Sequence, residues 1–136
     1  MRPGGGRTKG AQFEREVARL LHDHLGITFR RDIEQYRQAQ LGDLTPVECE
    51  RFPFVVECKR YASGNVRPEW WQQACVAAAA ASRLPALVYR FDRQPIACVI
   101  PVAAIVSMAD GTGEYPWSWN VTTTMETFCA IVRELL

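Results

Sequence analysis

The run from Phe52 to Tyr61 limits most strongly what this chain can fold into. It is rich in aromatic and β-branched residues, which favour a pleated strand, and Gly64 and Pro68 break it. Pro68 suits the first turn of a helix, and the alanine run Ala77–Ala81 supports helix through about Arg83 with a thin face for close packing. Ala86–Phe91 and Ile96–Val102 then read as two strands joined across Asp92-Arg93-Gln94-Pro95 as a hairpin. Upstream, Phe13, Val17, Leu20, Leu21 and Leu25 recur at helical spacing, predicting a helix from about Ala11 to Leu25, with Gly26 supplying the stop. Ile27–Arg31 reads as a strand start, a polar stretch follows through Gln40, and Gly42-Asp43-Leu44 opens a strand able to pair with 52–61. Beyond Val102 come a loop around Asp110–Gly113, the Trp117/Trp119 segment and a last helix to Leu136, with Thr123 and Glu126 as its capping box. Helix, strands, helix, two strands, helix is the order of an α/β (α+β) fold: a central mixed sheet flanked by helices.

The 136 residues suffice for one core, so a single domain is expected over 1–136, with a flexible basic start at 1–9 and a C-terminal extension at 103–136. A hydrophobic share of 48% against 23% charged is that of an ordinary globular protein. No apolar run approaches the roughly 20 residues of a membrane span, and Met1-Arg2-Pro3-Gly4-Gly5-Gly6 is no signal peptide, so a cytosolic chain with no membrane partner is expected. Cys49, Cys58, Cys75, Cys98 and Cys129 are scattered, and none forms a Cys-x-x-Cys pair or sits beside His22 or His24. That pattern fits small hydrophobes in a reducing compartment better than a zinc site. The net charge of +1 divides into +3 over residues 1–68 and −2 over 69–136. The first half becomes more basic still if some of its acids hold a cation.

Alternation along the strand puts Phe54, Val56 and Cys58 on one face and Val55, Glu57, Lys59 and Tyr61 on the other. Glu57 and Lys59 then project together, roughly 6.5 Å apart. Taken alone, this pair is better explained as a surface ion pair, and Asp43 alone as a Gly-Asp turn residue. Asp43 changes the weighing because it stands on a strand that can pair with 52–61. Two carboxylates brought together from adjacent strands repel unless a cation lies between them. Oxygen ligands with room for water and phosphate suit Mg²⁺, and a neighbouring lysine can orient or help deprotonate an attacking water. Glu14 adds a third acid: on a helical wheel it falls at about 100° from Phe13, between Leu21 at about 80° and Leu25 at about 120°. A carboxylate inside the apolar arc requires either an ion pair with a nearby arginine or a functional role.

Together these residues resemble the PD-(D/E)XK nuclease superfamily, and within it the archaeal and phage Holliday-junction resolvase group. The start Lys9-Gly10-Ala11-Gln12-Phe13-Glu14-Arg15-Glu16 is similar to that group's opening helix, and Glu14 matches one of its active-site carboxylates. Gly42-Asp43-Leu44 matches the motif's first half, with Gly42 in place of proline, and Val56-Glu57-Cys58-Lys59 the second. Gln35-Tyr36-Arg37 with the two motif halves looks most like the phage and prophage branch, which puts the chain in a host cytoplasm. The resemblance spans roughly residues 8–102 and implies a restriction-endonuclease-like αβββαβ core. It implies Mg²⁺, with Mn²⁺ able to substitute, hydrolysis of DNA leaving 5′-phosphate ends, and a homodimer that cuts a four-way junction symmetrically. Asp43 and Glu57, with Glu14, are the implied metal ligands, and Lys59 the catalytic lysine. Gln73 matches a glutamine that other members of the superfamily place near the metal. Lys9, Arg15, Arg30, Arg31 and Arg60 are the candidate phosphate contacts; Arg31–Gln40 departs from the group's pattern. Two alternatives remain: a nicking, repair or packaging nuclease acting on duplex, flaps or ends, and a non-catalytic DNA-binding module of the same fold.

Overall fold

The computed structural model describes residues 5–31, 42–106 and 116–136. The expected polar stretch between the first two strands and the loop around Asp110–Gly113 lie outside them. The elements are α1 (Gly5–Leu25), β1 (Phe29–Arg31), β2 (Leu44–Pro46), β3 (Phe54–Tyr61), α2 (Pro68–Ala81), β4 (Leu84–Phe91), β5 (Ala97–Pro101), β6 (Asn120–Thr123) and α3 (Met125–Leu135). The six strands form one sheet in sequence order, β1-β2-β3-β4-β5-β6. β3 and β4 pair in parallel over eight residues, from Phe54 beside Leu84 to Tyr61 beside Phe91, and the other neighbours pair antiparallel. The parallel pair needs a crossover, and α2 provides it.

Both faces of the sheet are covered, so the central strands are apolar on both sides. On one face Phe13, Val17 and Leu21 of α1 and Phe128, Cys129 and Val132 of α3 pack against Phe54, Val56, Ala86 and Val88. Phe29, Phe52, Phe54 and Phe128 form a chain of edge-to-face rings, with centroids 4.9, 6.2 and 5.1 Å apart. On the opposite face α2 lays Trp70 and Trp71 over Leu87 and Val99, and Ala77 and Ala78 over Val55. The alternation expected of residues 54–61 is therefore the one observed. Each fully buried large side chain contributes about 1.5–3 kcal/mol relative to exposure.

Three expectations need correction. α1 begins at Gly5 rather than near Ala11, so residues 5–9 belong to the helix. Of the expected extension at 103–136, the described residues 116–136 supply β6, which extends the sheet beside β5, and α3, which packs on the first core. The cap of α3 is Thr124, whose hydroxyl accepts from the Thr127 N–H at 3.1 Å, one residue later than the Thr123/Glu126 box predicts. All five cysteines are free thiols.

Candidate active site

The site is built on β3 where β2 meets it. Gly42 precedes β2 with φ +78°, and a Cβ there would stand 2.6 Å from Val55 Cγ1 and 3.1 Å from the Val56 carbonyl oxygen. The chain must therefore pass flush against β3 in a left-handed conformation, which only glycine adopts without strain. That approach fastens Asp43 at two points. Its N–H donates to the Val56 carbonyl at 3.0 Å, and its Oδ2 accepts the Cys58 N–H at 2.7 Å. The two β3 groups flank Glu57, so the Asp43 carboxylate is locked to the backbone next to that residue.

Glu57 is 2% exposed and is the one charged side chain buried among the described residues. A carboxylate so far from water is costly unless donors, a proton or a cation compensate it. Glu14, half-buried on α1, lies 3.7 Å from the Arg31 guanidinium at the end of β1. The ion-pair reading of Glu14 is thus the one seen in this structure, and Arg31 turns inward to serve it. Burial pushes the Cys58 thiol well up from its ordinary value, and Asp43, Glu14 and Glu57 each push it further. One thiol thus feels all three sequence-predicted carboxylates: α1, the bend before β2, and β3 converge there.

Lys59 is half-buried and, two residues along β3, projects to the same side as Glu57. Tyr61, the next residue on that face, stacks on Trp70 at 5.0 Å, with the Arg67 guanidinium 5.9 Å from the Tyr61 ring centroid. Because Tyr61 meets Trp70 while Val55 meets Ala77 and Ala78, α2 runs antiparallel to β3. This sets the turn carrying Gln73 level with Glu57 and Lys59, although the Gln73 side chain is on the exposed flank of α2.

The basic residues divide into two groups. Arg15 and Arg30 are exposed. Lys9 and Arg60 instead converge on Asp92, at 3.2 and 2.6 Å, and this lowers the Asp92 carboxyl, chiefly through the Arg60 hydrogen bond and then that of Lys9. Arg90, which the sequence reading did not single out, grips Glu16 of α1 through both carboxylate oxygens, at 3.1 and 3.2 Å. Its signal was the parallel register, which sets Arg90 directly beside Arg60 and is invisible until strand order is known.

Asp43 and Glu57 fit a hard divalent cation. They supply oxygen donors from the bend before β2 and from β3, and Mg²⁺ is commonly held by one or two carboxylates with water and substrate phosphate completing its shell. Among the described residues no three His, Cys, Asp or Glu side chains form a ready-made metal cage. Glu14 here faces Arg31.

The fold is a mixed sheet flanked by helices on both faces, with Asp43 in the bend before β2 set against Glu57 and Lys59 of β3. The chain matches the profile of the family described as "Phage putative PDDEXK endonuclease" over residues 5–135 and belongs to that family. Its fold is also that of Hjc from Archaeoglobus fulgidus, a Holliday junction resolvase from an archaeal hyperthermophile. The two share 11% identity at a TM-score of 0.54, over 92% of this chain and 99% of that one. No curated protein sequence matches the chain. No helix among the described residues is long and apolar enough to cross a membrane.

Proposed function

We propose that this chain is a divalent-metal-dependent DNA endonuclease that resolves branched DNA, acting as a homodimer on four-way junctions. The observation that carries the reading is Asp43 fastened to the β3 backbone on either side of Glu57, with Lys59 on the same strand face as Glu57. Asp43 and Glu57 would hold Mg²⁺ or Mn²⁺, with Glu14 joining once released from Arg31. The cation supplies Lewis-acid charge where a phosphodiester gains negative charge.

The protein's own groups do the rest. The Cys58 N–H holds Asp43 Oδ2 in place, so the carboxylate is oriented before substrate arrives. Lys59 directs its ammonium to the same region, where it orients the attacking water and offsets charge on the phosphoryl oxygens. Water adds to phosphorus, the bond to the 3′ oxygen breaks, that oxygen leaves with a proton, and the 5′ end keeps the phosphate. Gln73, on the turn of α2 level with the pair, would join the centre only by turning in from its exposed flank. Arg15 and Arg30 contact phosphates outside the centre.

The test compares cleavage of a four-way junction with linear duplex of the same arms, with and without Mg²⁺ or Mn²⁺. Symmetric nicks confined to the junction are expected, and cleavage in Glu57→Ala, Glu57→Gln and Lys59→Ala should fall by about 10²-fold or more while circular dichroism stays native. Wild-type cutting by these variants would sink the assignment of the centre. Equal cutting of duplex would retain the nuclease and remove the junction preference.

A further inference from the structure

A groove of about 650 Å³ runs between the first half of α1 and the C-terminal ends of β3 and β4, lined by Lys9, Gln12, Glu16, Arg19, Arg60 and Arg90 among others. It places four cations beside one lining carboxylate on a chain whose overall charge is only +1. Two of them, Arg60 and Arg90, are direct neighbours on parallel strands. Like charges set opposite one another in a sheet are destabilising. The fold retains the pair by giving Arg90 to Glu16 and Arg60, with Lys9, to Asp92 on the β4–β5 turn. Counting Asp92, the groove still carries two more positive than negative charges. A purely structural clamp between α1 and the sheet would not require that surplus, and a polyanion would use it.

Resting on the nuclease reading above, we propose that this groove is a backbone-phosphate subsite for the DNA that flanks the cut. Lys9, Arg19 and Arg60 make the contacts, and Arg90 shapes the wall. Asp92 is the placeholder anion that keeps Lys9 and Arg60 extended until phosphate displaces it. Arg60 lies three residues beyond Glu57, roughly 10 Å along β3. Three residues is an odd step along a strand, so Arg60 faces α1 while Glu57 faces α2, and DNA that reaches both passes around the C-terminal end of β3.

The test is binding of a fluorescent four-way junction to the full chain carrying Glu57→Gln, without metal, over a series of salt concentrations. Arg19→Gln and Lys9→Gln should each weaken binding severalfold and each reduce the slope of log K against log salt by about 0.9. Asp92→Asn should tighten binding severalfold although it removes two ion pairs, because it leaves Lys9 and Arg60 for phosphate. Thermal melts of the same proteins separate lost contacts from lost folding. Unchanged affinity and slope in Arg19→Gln and Lys9→Gln, or weaker binding by well-folded Asp92→Asn, would overturn the groove assignment. A parent chain that binds no DNA overturns the nuclease reading along with it. A parent that binds while the groove variants are silent overturns the groove alone.

Discussion

The resemblance sets Gly42 where the motif carries a proline, and the backbone here makes that exchange irreversible. Its φ of +78° lies in the left-handed region, whereas proline is fixed near −65°. Gly42→Pro, which would restore the motif to its usual spelling, should therefore damage this protein more than Gly42→Ala. For alanine the cost can be assembled from the structure. Holding an L-residue in the left-handed region costs about 1–2 kcal/mol. A methyl placed 2.6 Å from Val55 Cγ1 and 3.1 Å from the Val56 carbonyl is an overpacking event of about 1–3 kcal/mol. Loss of glycine's freedom in the unfolded chain returns about 0.4–1 kcal/mol. The net is about 1–4.6 kcal/mol, centred near 3, a large part of the ~5–15 kcal/mol that holds a domain of this size together, and it should lower Tm by roughly 10 °C.

The same substitution should reach the chemistry, because Gly42 sets where Asp43 meets β3. A shift on the order of 1 Å in a positioned catalytic group costs about 10²-fold in rate. Gly42→Ala should thus cut poorly even at temperatures where it is fully folded. Urea melts of Gly42→Ala, Val55→Ala and the double variant separate the contributions. Truncating Val55 removes the 2.6 Å contact but neither the carbonyl contact nor the backbone strain. The double variant should therefore be about 1 kcal/mol more stable than additivity predicts. A Gly42→Ala protein with unchanged urea midpoint and full cleavage would refute this account of the β2–β3 junction.

Two further outcomes follow from the periphery of the site. Thr124→Ala should destabilise the domain by about 1 kcal/mol in urea melts, because the Thr127 N–H loses its acceptor at the start of α3, and Thr124→Ser should recover most of that loss. Burial pushes the Cys75 thiol from 9.0 up to about 11. Between those two values the unfolded chain releases the proton that the folded chain keeps, so stability should fall as pH rises from about 9 toward 11. Urea melts at pH 8 and 10 should show that fall, and it should be smaller in Cys75→Ser; native Cys75 should also alkylate slowly at pH 8.

The sequence was most informative where one element decides the outcome alone. β3 announces itself by composition, and period-two alternation suffices to put Val55, Glu57, Lys59 and Tyr61 on the α2 side of the sheet. Glu14 was legible because a carboxylate inside an apolar helical arc violates the pattern around it. What sequence could not supply depends on partners distant in the chain. Asn120–Thr123 is four residues long and becomes a strand by pairing with Cys98–Pro101. The glycines near the start of α1 argue against helix, each costing about 1 kcal/mol relative to alanine, yet the chain is helical from Gly5. Lys9, on the second turn, is tied across the fold to Asp92, an example of tertiary contact overriding local preference. Arg90 escaped notice because its meaning lies in standing beside Arg60, a relation set by parallel pairing.

The two readings of Glu14, an ion pair or a functional acid, are not exclusive. Asp43, Glu14 and Glu57 all raise the Cys58 thiol, so three carboxylates share one electrostatic neighbourhood. The three are held by different elements, α1, the bend before β2 and β3, and a carboxylate buried on any of them requires a donor or a cation. Arg31, 22% exposed and 3.7 Å from Glu14, supplies compensation from β1. A divalent cation held by Asp43 and Glu57 would supply the same charge from within the cluster and compete with Arg31 for Glu14. Arg31, named from the sequence as a candidate phosphate contact, is thus also the partner of Glu14 at the end of a three-residue edge strand.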